Sequence, residues 1–144
     1  MPVHQTTEIK WSRQLIVEGY DEERFVSALL QHINVADVQT HNTRRRTNLA
    51  SRLKAITSTP NFADRVTWLG VVLDAEEYAT NTFHSISGEL TRAGLTAPSQ
   101  VMKPVDVSPR VSVLIFPGGD EPGTLETICL QSVADHQAIK CIEQ

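Results

Sequence analysis

Short apolar runs recur four times along the chain, and each is followed by polar turn residues and then by apolar residues at helical spacing. The runs predict strands at 14–17, 35–40, 67–73 and 111–116. The helical spacing predicts helices at 21–33, 44–58, 79–93 and from 124 onward. The third run, Thr-Trp-Leu-Gly-Val-Val-Leu, is almost wholly apolar, which indicates a strand that is buried on both faces.

Alternating strands and helices without hairpin signals predict an α/β fold. We expect a four-stranded parallel, doubly wound sheet with helices on both faces, in the manner of Rossmann-like domains. The 144 residues suit a single domain spanning 1–144, with a core at about 13–133. The stripes predict these inward side chains in the first and last helices: Phe25, Val26, Leu29, Leu30, Ile33, Leu125, Ile128 and Val133.

The apolar runs and the cysteines indicate where in the cell the domain is expected. The longest apolar run, 69–73, is far too short to cross a bilayer, so no membrane partner is expected. Residues 1–10 lack the apolar core of a secretory signal, which predicts a cytoplasmic protein. Cys129 and Cys141 have neither zinc-site spacing nor a disulfide pattern, and we assign them no role.

A run of basic residues, Arg44, Arg45 and Arg46, contrasts with the formal net charge of -4. Guanidinium groups fit phosphate oxygens, so the run could grip a nucleic-acid backbone. It could equally form the exposed side of a short helix, and the sequence leaves both interpretations open. His41 is expected to be exposed and idle, and the aromatic residues show no interleaving with basic ones of the kind that single-strand binders use.

Acidic residues stand at the ends of three of the four predicted strands. Glu18 follows the first, Asp74 and Glu76 follow the third, and Asp120, Glu121 and Glu126 follow the fourth. Carboxyl ends of parallel strands meet at one edge, where sites of such sheets form. Clustered carboxylates repel one another unless a cation binds or their pKa values rise. Mg²⁺ (or Mn²⁺) is the expected ion, because a His/Cys cluster for zinc is missing. Each acid could also merely stabilise the start of a helix.

Two of these acidic stretches resemble the motifs of Toprim domains. The segment Leu-Ile-Val-Glu-Gly-Tyr-Asp at 15–21 is similar to their first motif, an apolar strand followed by Glu-Gly and a later acid. The segment Leu-Gly-Val-Val-Leu-Asp-Ala-Glu at 69–76 is similar to their Asp-x-Asp motif. With the segment 110–126, the chain resembles small stand-alone Toprim-like proteins related to OLD-type nucleases.

The resemblance implies a role for each matching acid. Glu18 would bind metal or act as general acid and base, and Asp74 and Glu76 would be metal ligands. Glu22 and Glu126 would match the additional acids of OLD-type nucleases and supply a second metal. Glu76 departs from the usual Asp, and Thr124 is not at the position of the usual serine, which weakens the expectation of two metals more than that of the fold.

Three classes of function follow. The leading one is Mg²⁺-dependent phosphodiester chemistry on DNA or RNA, as in a Toprim or OLD-like nuclease, for which phage defence is an analogy. The alternative is a non-catalytic, metal-binding interaction module that acts with a larger partner, such as an ATPase, or as a homo-oligomer. A receiver-like phosphoacceptor centred on Asp74 is disfavoured, because Pro117 stands where a lysine is needed.

Overall fold

Four parallel strands form the centre of the domain. The structure, a computed structural model, describes residues 8–118 and 121–135. The strands are β1 (Arg13–Val17), β2 (Val38–Asn42), β3 (Trp68–Asp74) and β4 (Arg110–Phe116), in the sheet order β2-β1-β3-β4. All three strand pairs are parallel, as the sequence predicts. Asp120 and Cys141 lie outside the described residues.

Helices follow every strand. They are α1 (Tyr20–His32), α2 (Leu49–Thr57), the short α3 (Phe62–Arg65), α4 (Ala79–Arg92) and α5 (Leu125–Ser132), and a 3-10 turn (Arg46–Asn48) precedes α2. β2 starts later than predicted because Asn34 and Asp37 adopt left-handed φ angles of 58° and 62°. The predicted helix at 44–58 is shortened for the same reason, since Arg44 has φ 63°. The sequence did not predict α3.

The helices cover both faces of the sheet. Helices α2, α3 and α4 pack on one face, which we call the α2 face, and α1 and α5 pack on the other, the α1 face. The chain runs outward from β1 to β2 and then returns past β1 to β3 and β4. Right-handed crossovers place helices on opposite faces when the direction reverses in this way. The domain is therefore a doubly wound, Rossmann-like α/β fold, as predicted.

The core is densest on the α2 face. Leu53 and Ile56 of α2, Leu73 of β3 and Leu90 of α4 are fully buried there. Burial of apolar side chains is the main favourable term in folding, so this face supplies most of the stability.

Helices α1 and α5 bury a narrower stripe than predicted. Val26 and Leu125 are buried, and Phe25, Leu30 and Ile128 are partly buried against the sheet. The prediction was wrong for Leu29, Ile33 and Val133, whose exposed fractions are 43%, 53% and 43%. Only one side of each helix reaches the sheet, so the outer part of the apolar stripe stays in solvent.

Among the helices described, none is long and apolar enough to cross a membrane.

Candidate metal and phosphate site

The carboxyl ends of β1 and β3 mark the point where the strand order reverses. β1 pairs with β2 on one side and with β3 on the other, and the chain leaves these two strands in opposite directions. Loops diverge at such a point and leave a crevice, which is where doubly wound sheets bind ligands. Glu18 directly follows β1, and Asp74 is the last residue of β3. Both residues therefore stand at the most favoured position in the fold.

Asp74 is buried among polar partners on the α1 face. Its Oδ1 accepts a hydrogen bond of 2.9 Å from the amide of Leu125, the first residue of α5. Its carboxyl also hydrogen-bonds the carboxyl of Glu22. Burial first, and then the charge of Glu22, raises the pKa of Asp74 to about 7, against the lowering effect of the Leu125 amide. At neutral pH the Asp74 carboxyl therefore carries a proton for much of the time.

The position of Glu22 explains why a glycine follows Glu18. Gly19 has φ 85°, a region that L side chains avoid. A Cβ on Gly19 would also meet the Glu22 carboxylate at 2.5 Å. The tight turn therefore lets the first turn of α1 bring Glu22, which is buried, back to the strand ends.

Glu18 has a partly satisfied carboxylate. Burial raises its pKa, the charge of Arg46 lowers it, and the charges of Glu76 and Glu22 raise it again. The Arg46 Nε lies 3.7 Å from Glu18 Oε2, which is an ion pair but not a hydrogen bond. Both atoms are buried without a hydrogen-bond partner. A buried oxygen of this kind calls for a further partner, such as a cation or a water molecule.

Glu76 and Glu126 complete the edge from two neighbouring loops. Glu76 is exposed and has φ 57°, and its backbone exchanges two hydrogen bonds of 2.8 Å with Gly123. These bonds tie the loop after β3 to the loop after β4. Glu126 is exposed in the first turn of α5, where a hydrogen bond from the Thr124 side chain lowers its pKa. Its charge contributes to the raised pKa of Asp74.

All five sequence-predicted metal ligands therefore meet at one edge. We call Glu18, Glu22, Asp74, Glu76 and Glu126 the acid cluster. Electrostatic interactions connect Glu18 with Glu22 and Glu76, and connect Asp74 with Glu22 and Glu126. Within 8–118 and 121–135, no three His, Cys, Asp or Glu side chains are already arranged to bind one ion. Mg²⁺ needs only one or two carboxylates besides water and phosphate oxygens, so the oxygen donors of the acid cluster are of the kind that it prefers.

The structure separates the three predicted phosphate-binding arginines. Arg46 points into the acid cluster, where Nη2 donates to the carbonyl of Asp74 and Nη1 donates to Thr82 Oγ1 at 3.3 Å. Arg44 and Arg45 are exposed at its rim. Arg46 is thus a counter-charge for Glu18, while the side chains of Arg44 and Arg45 are exposed to solvent.

Sequence reasoning missed two features of the rim. The Arg44 guanidinium lies 5.5 Å from the centre of the Tyr20 ring, so the fold assembles a basic–aromatic pair that no linear pattern shows. The side chain of Asn42, the last residue of β2, accepts hydrogen bonds from the loop after β1 and from the loop after β2. The position of Asn42 just after the end of a predicted strand was the one feature of the sequence that could have indicated this role.

The sequence predicts an exposed His41, and this prediction was wrong. His41 is buried beside Gln14, which hydrogen-bonds its Nε2, and burial together with the charge of Arg52 lowers its pKa to about 4. It is a neutral packing residue and no part of the site.

One family comparison gives a match. The model of a family described as "Protein of unknown function (DUF3226)" matches residues 12–144, almost the whole chain. No curated protein and no solved structure matches the chain.

Proposed function

The chain belongs to the DUF3226 family, whose description gives no activity, and from the geometry of the acid cluster we propose that it hydrolyses phosphodiester bonds in nucleic acid with Mg²⁺ or Mn²⁺. The observation that supports this most is the excess of carboxylates at the strand-order reversal. The five acids of the cluster interact there, Arg46 pairs with Glu18, and Oε2 of Glu18 lacks a hydrogen-bond partner. A divalent cation would offset this negative charge.

Each residue of the cluster has a role in this proposal. Glu18 and Asp74 would hold the ion, because strand ends fix them rigidly. Glu22, Glu76 and Glu126 would hold a second ion or orient bound water. A bound ion would polarise the phosphate and lower the pKa of the attacking water. The Toprim and OLD-type resemblance of the two acidic motifs supports the same chemistry.

Arg46 gives the site a positive group that does not depend on metal. Its hydrogen bonds to the Asp74 carbonyl and to Thr82 hold the guanidinium beside Glu18. Its charge would reduce the repulsion between the carboxylates before the ion binds and would attract a phosphate afterwards. A cytoplasmic location, expected from the sequence, is part of the proposal.

The test is cleavage of supercoiled DNA, single-stranded DNA and RNA with Mg²⁺ or Mn²⁺. We expect Glu18→Gln and Asp74→Asn each to lower the rate at least about 100-fold, since both substitutions keep the shape and remove the charge that the ion needs. The matched control is Asp64→Asn, the same change in α3 at the opposite end of the sheet, which should cut at the wild-type rate.

A second readout separates metal binding from cleavage. Mg²⁺ should raise the melting temperature of the wild type and of Asp64→Asn but not that of the double variant Glu18→Gln, Asp74→Asn. Wild-type cleavage by that double variant would refute the proposal. Mg²⁺ stabilisation without cleavage of any substrate would refute the enzymatic part and favour the interaction module.

A further inference from the structure

Tyr20 and Arg44 form an exposed pair beside the acid cluster, which we call the base platform. Tyr20 is the second residue after Glu18 and has an exposed fraction of 60%. The Arg44 guanidinium lies 5.5 Å from the centre of its ring. More than half of the Tyr20 side chain is therefore in contact with water, and Arg44 lies over its ring.

A single side chain, that of Asn42, ties together the two backbone segments that carry Tyr20 and Arg44. Asn42 Oδ1 accepts hydrogen bonds from the Gly19 amide at 3.1 Å and from the Arg44 amide at 2.8 Å. Asn42 Nδ2 donates to Glu23 Oε2 at 2.8 Å, which fixes the amide to α1. Arg44 is held at φ 63°, an unfavourable region for a residue with a side chain. The backbone segments that carry the two platform side chains are therefore fixed before any ligand binds.

The charge of Arg44 is free for an anionic ligand. No carboxylate among the described residues pairs with it, and its neighbour Arg45 is exposed as well. Arg24 lies one helical turn after Tyr20 and is also exposed. An aromatic face with guanidinium groups around it provides stacking for a base and contacts for its phosphates.

The opposite end of the sheet contains a comparable pair that lacks this free charge. The Arg110 guanidinium lies 5.4 Å from the Trp68 ring, but Arg110 also pairs with Asp106 at 3.3 Å. Trp68 begins β3, whereas Asp74 ends it. The Trp68–Arg110 pair is therefore a natural control for an arginine stacked on a ring away from the acid cluster.

We propose that the base platform stacks an unpaired nucleobase and so selects single-stranded nucleic acid for the acid cluster. A base in a duplex is already stacked and cannot place its face on Tyr20. Arg44 and Arg45 would contact the phosphates of the stacked nucleotide, and the adjoining phosphodiester would face Glu18. This inference deepens the proposed function, and it rests on that function only for what happens after binding.

The test measures binding in EDTA, so that cleavage cannot interfere. Fluorescence anisotropy with labelled single-stranded dT12 and rU12 and with a 12-bp duplex would use the full chain. We expect Tyr20→Ala to weaken single-strand binding at least about fivefold and Tyr20→Phe to restore it to within about twofold. Arg44→Ala should weaken binding and reduce its salt dependence. The control Trp68→Ala should bind like the wild type, and the duplex should bind more weakly than dT12.

The outcomes are distinguishable from those of the cleavage experiment. An oligomer of abasic residues should bind wild type and Tyr20→Ala equally, because only the sugar–phosphate backbone remains. Equal binding of dT12 by Tyr20→Ala and Tyr20→Phe, an equal loss in Trp68→Ala, or no binding of single strands by the wild type would overturn the platform. Preference for dT12 or rU12 would identify DNA or RNA. Cleavage that needs Glu18 but ignores Tyr20 would leave the proposed function standing without this inference.

Discussion

The α2 face and the α1 face of the sheet differ in how completely they are packed. Among the residues that the structure describes, eighteen form the buried cluster on the α2 face and five form the one on the α1 face. The Asp74 carboxylate and the buried Glu22 lie on the sparser side, together with the start of α5. Buried like charges cost stability, so a fold that keeps them needs a surplus elsewhere. The α2 face supplies that surplus.

The largest expected effect is a loss of stability from truncating the α2 face. Leu53 is fully buried, and Leu53→Ala should lower the free energy of unfolding by about 2–5 kcal/mol, because it removes apolar contacts and leaves a cavity. The matched variant Leu130→Ala, on the outer side of α5 where Leu130 is 55% exposed, should change it by less than about 0.5 kcal/mol. Urea unfolding measures both. Similar losses in the two variants would contradict the contrast between the faces.

A smaller effect is expected where the acid cluster is held together. Arg46→Met removes the hydrogen bond to the Asp74 carbonyl and the ion pair with Glu18, so stability at pH 8 should fall by about 2 kcal/mol. Arg45→Met changes an exposed neighbour and should cost less than about 0.5 kcal/mol. In a double-mutant cycle, Glu18→Gln should recover part of the loss, by about 1 kcal/mol. Equal effects of the two arginines would refute the separate roles of Arg46 and Arg45.

The smallest effect is a pH dependence of stability. The Asp74 pKa is raised from 3.8 to about 7, so between these values the folded state holds a proton that the unfolded state releases. Stability from this group is full below about pH 4 and is lost as the pH rises through 7. In EDTA, Asp74→Asn should therefore be more stable than the wild type at pH 8, by roughly 1–2 kcal/mol after allowance for solvent screening.

The pH comparison has an internal check. Asp74→Asn and the wild type should converge near pH 4, and Asp64→Asn should follow the wild type throughout. A small residual slope should remain in Asp74→Asn, because burial also raises the pKa of Glu18. If Asp74→Asn is less stable than the wild type at pH 8, the pKa of Asp74 is not raised in the folded protein as described.

The elements were predictable where local pattern and tertiary packing agree. The apolar run of β3 after Trp68 and the stripe of Leu49, Leu53 and Ile56 in α2 pack into the buried clusters beside the sheet, because both meet apolar neighbours there. Predictions failed where one residue reversed the backbone, as at Asp37 before β2 and Arg44 before α2. They also failed at Leu29, because helical spacing shows which side chains share a stripe but not how much of it a neighbour covers.

The class of fold and the acids at the strand ends could be predicted from the residues alone, since strand period, helix period and the rule for parallel sheets are local or topological properties. Which charges meet could not be predicted in this way, because it depends on how the elements pack. The tertiary structure turned Arg46 inward and Arg44 onto Tyr20, buried His41, and joined Asp74 to Glu22 and the Leu125 amide. Such contacts depend on the directions of side chains in elements that lie far apart in sequence, and a pattern along the chain does not give those directions.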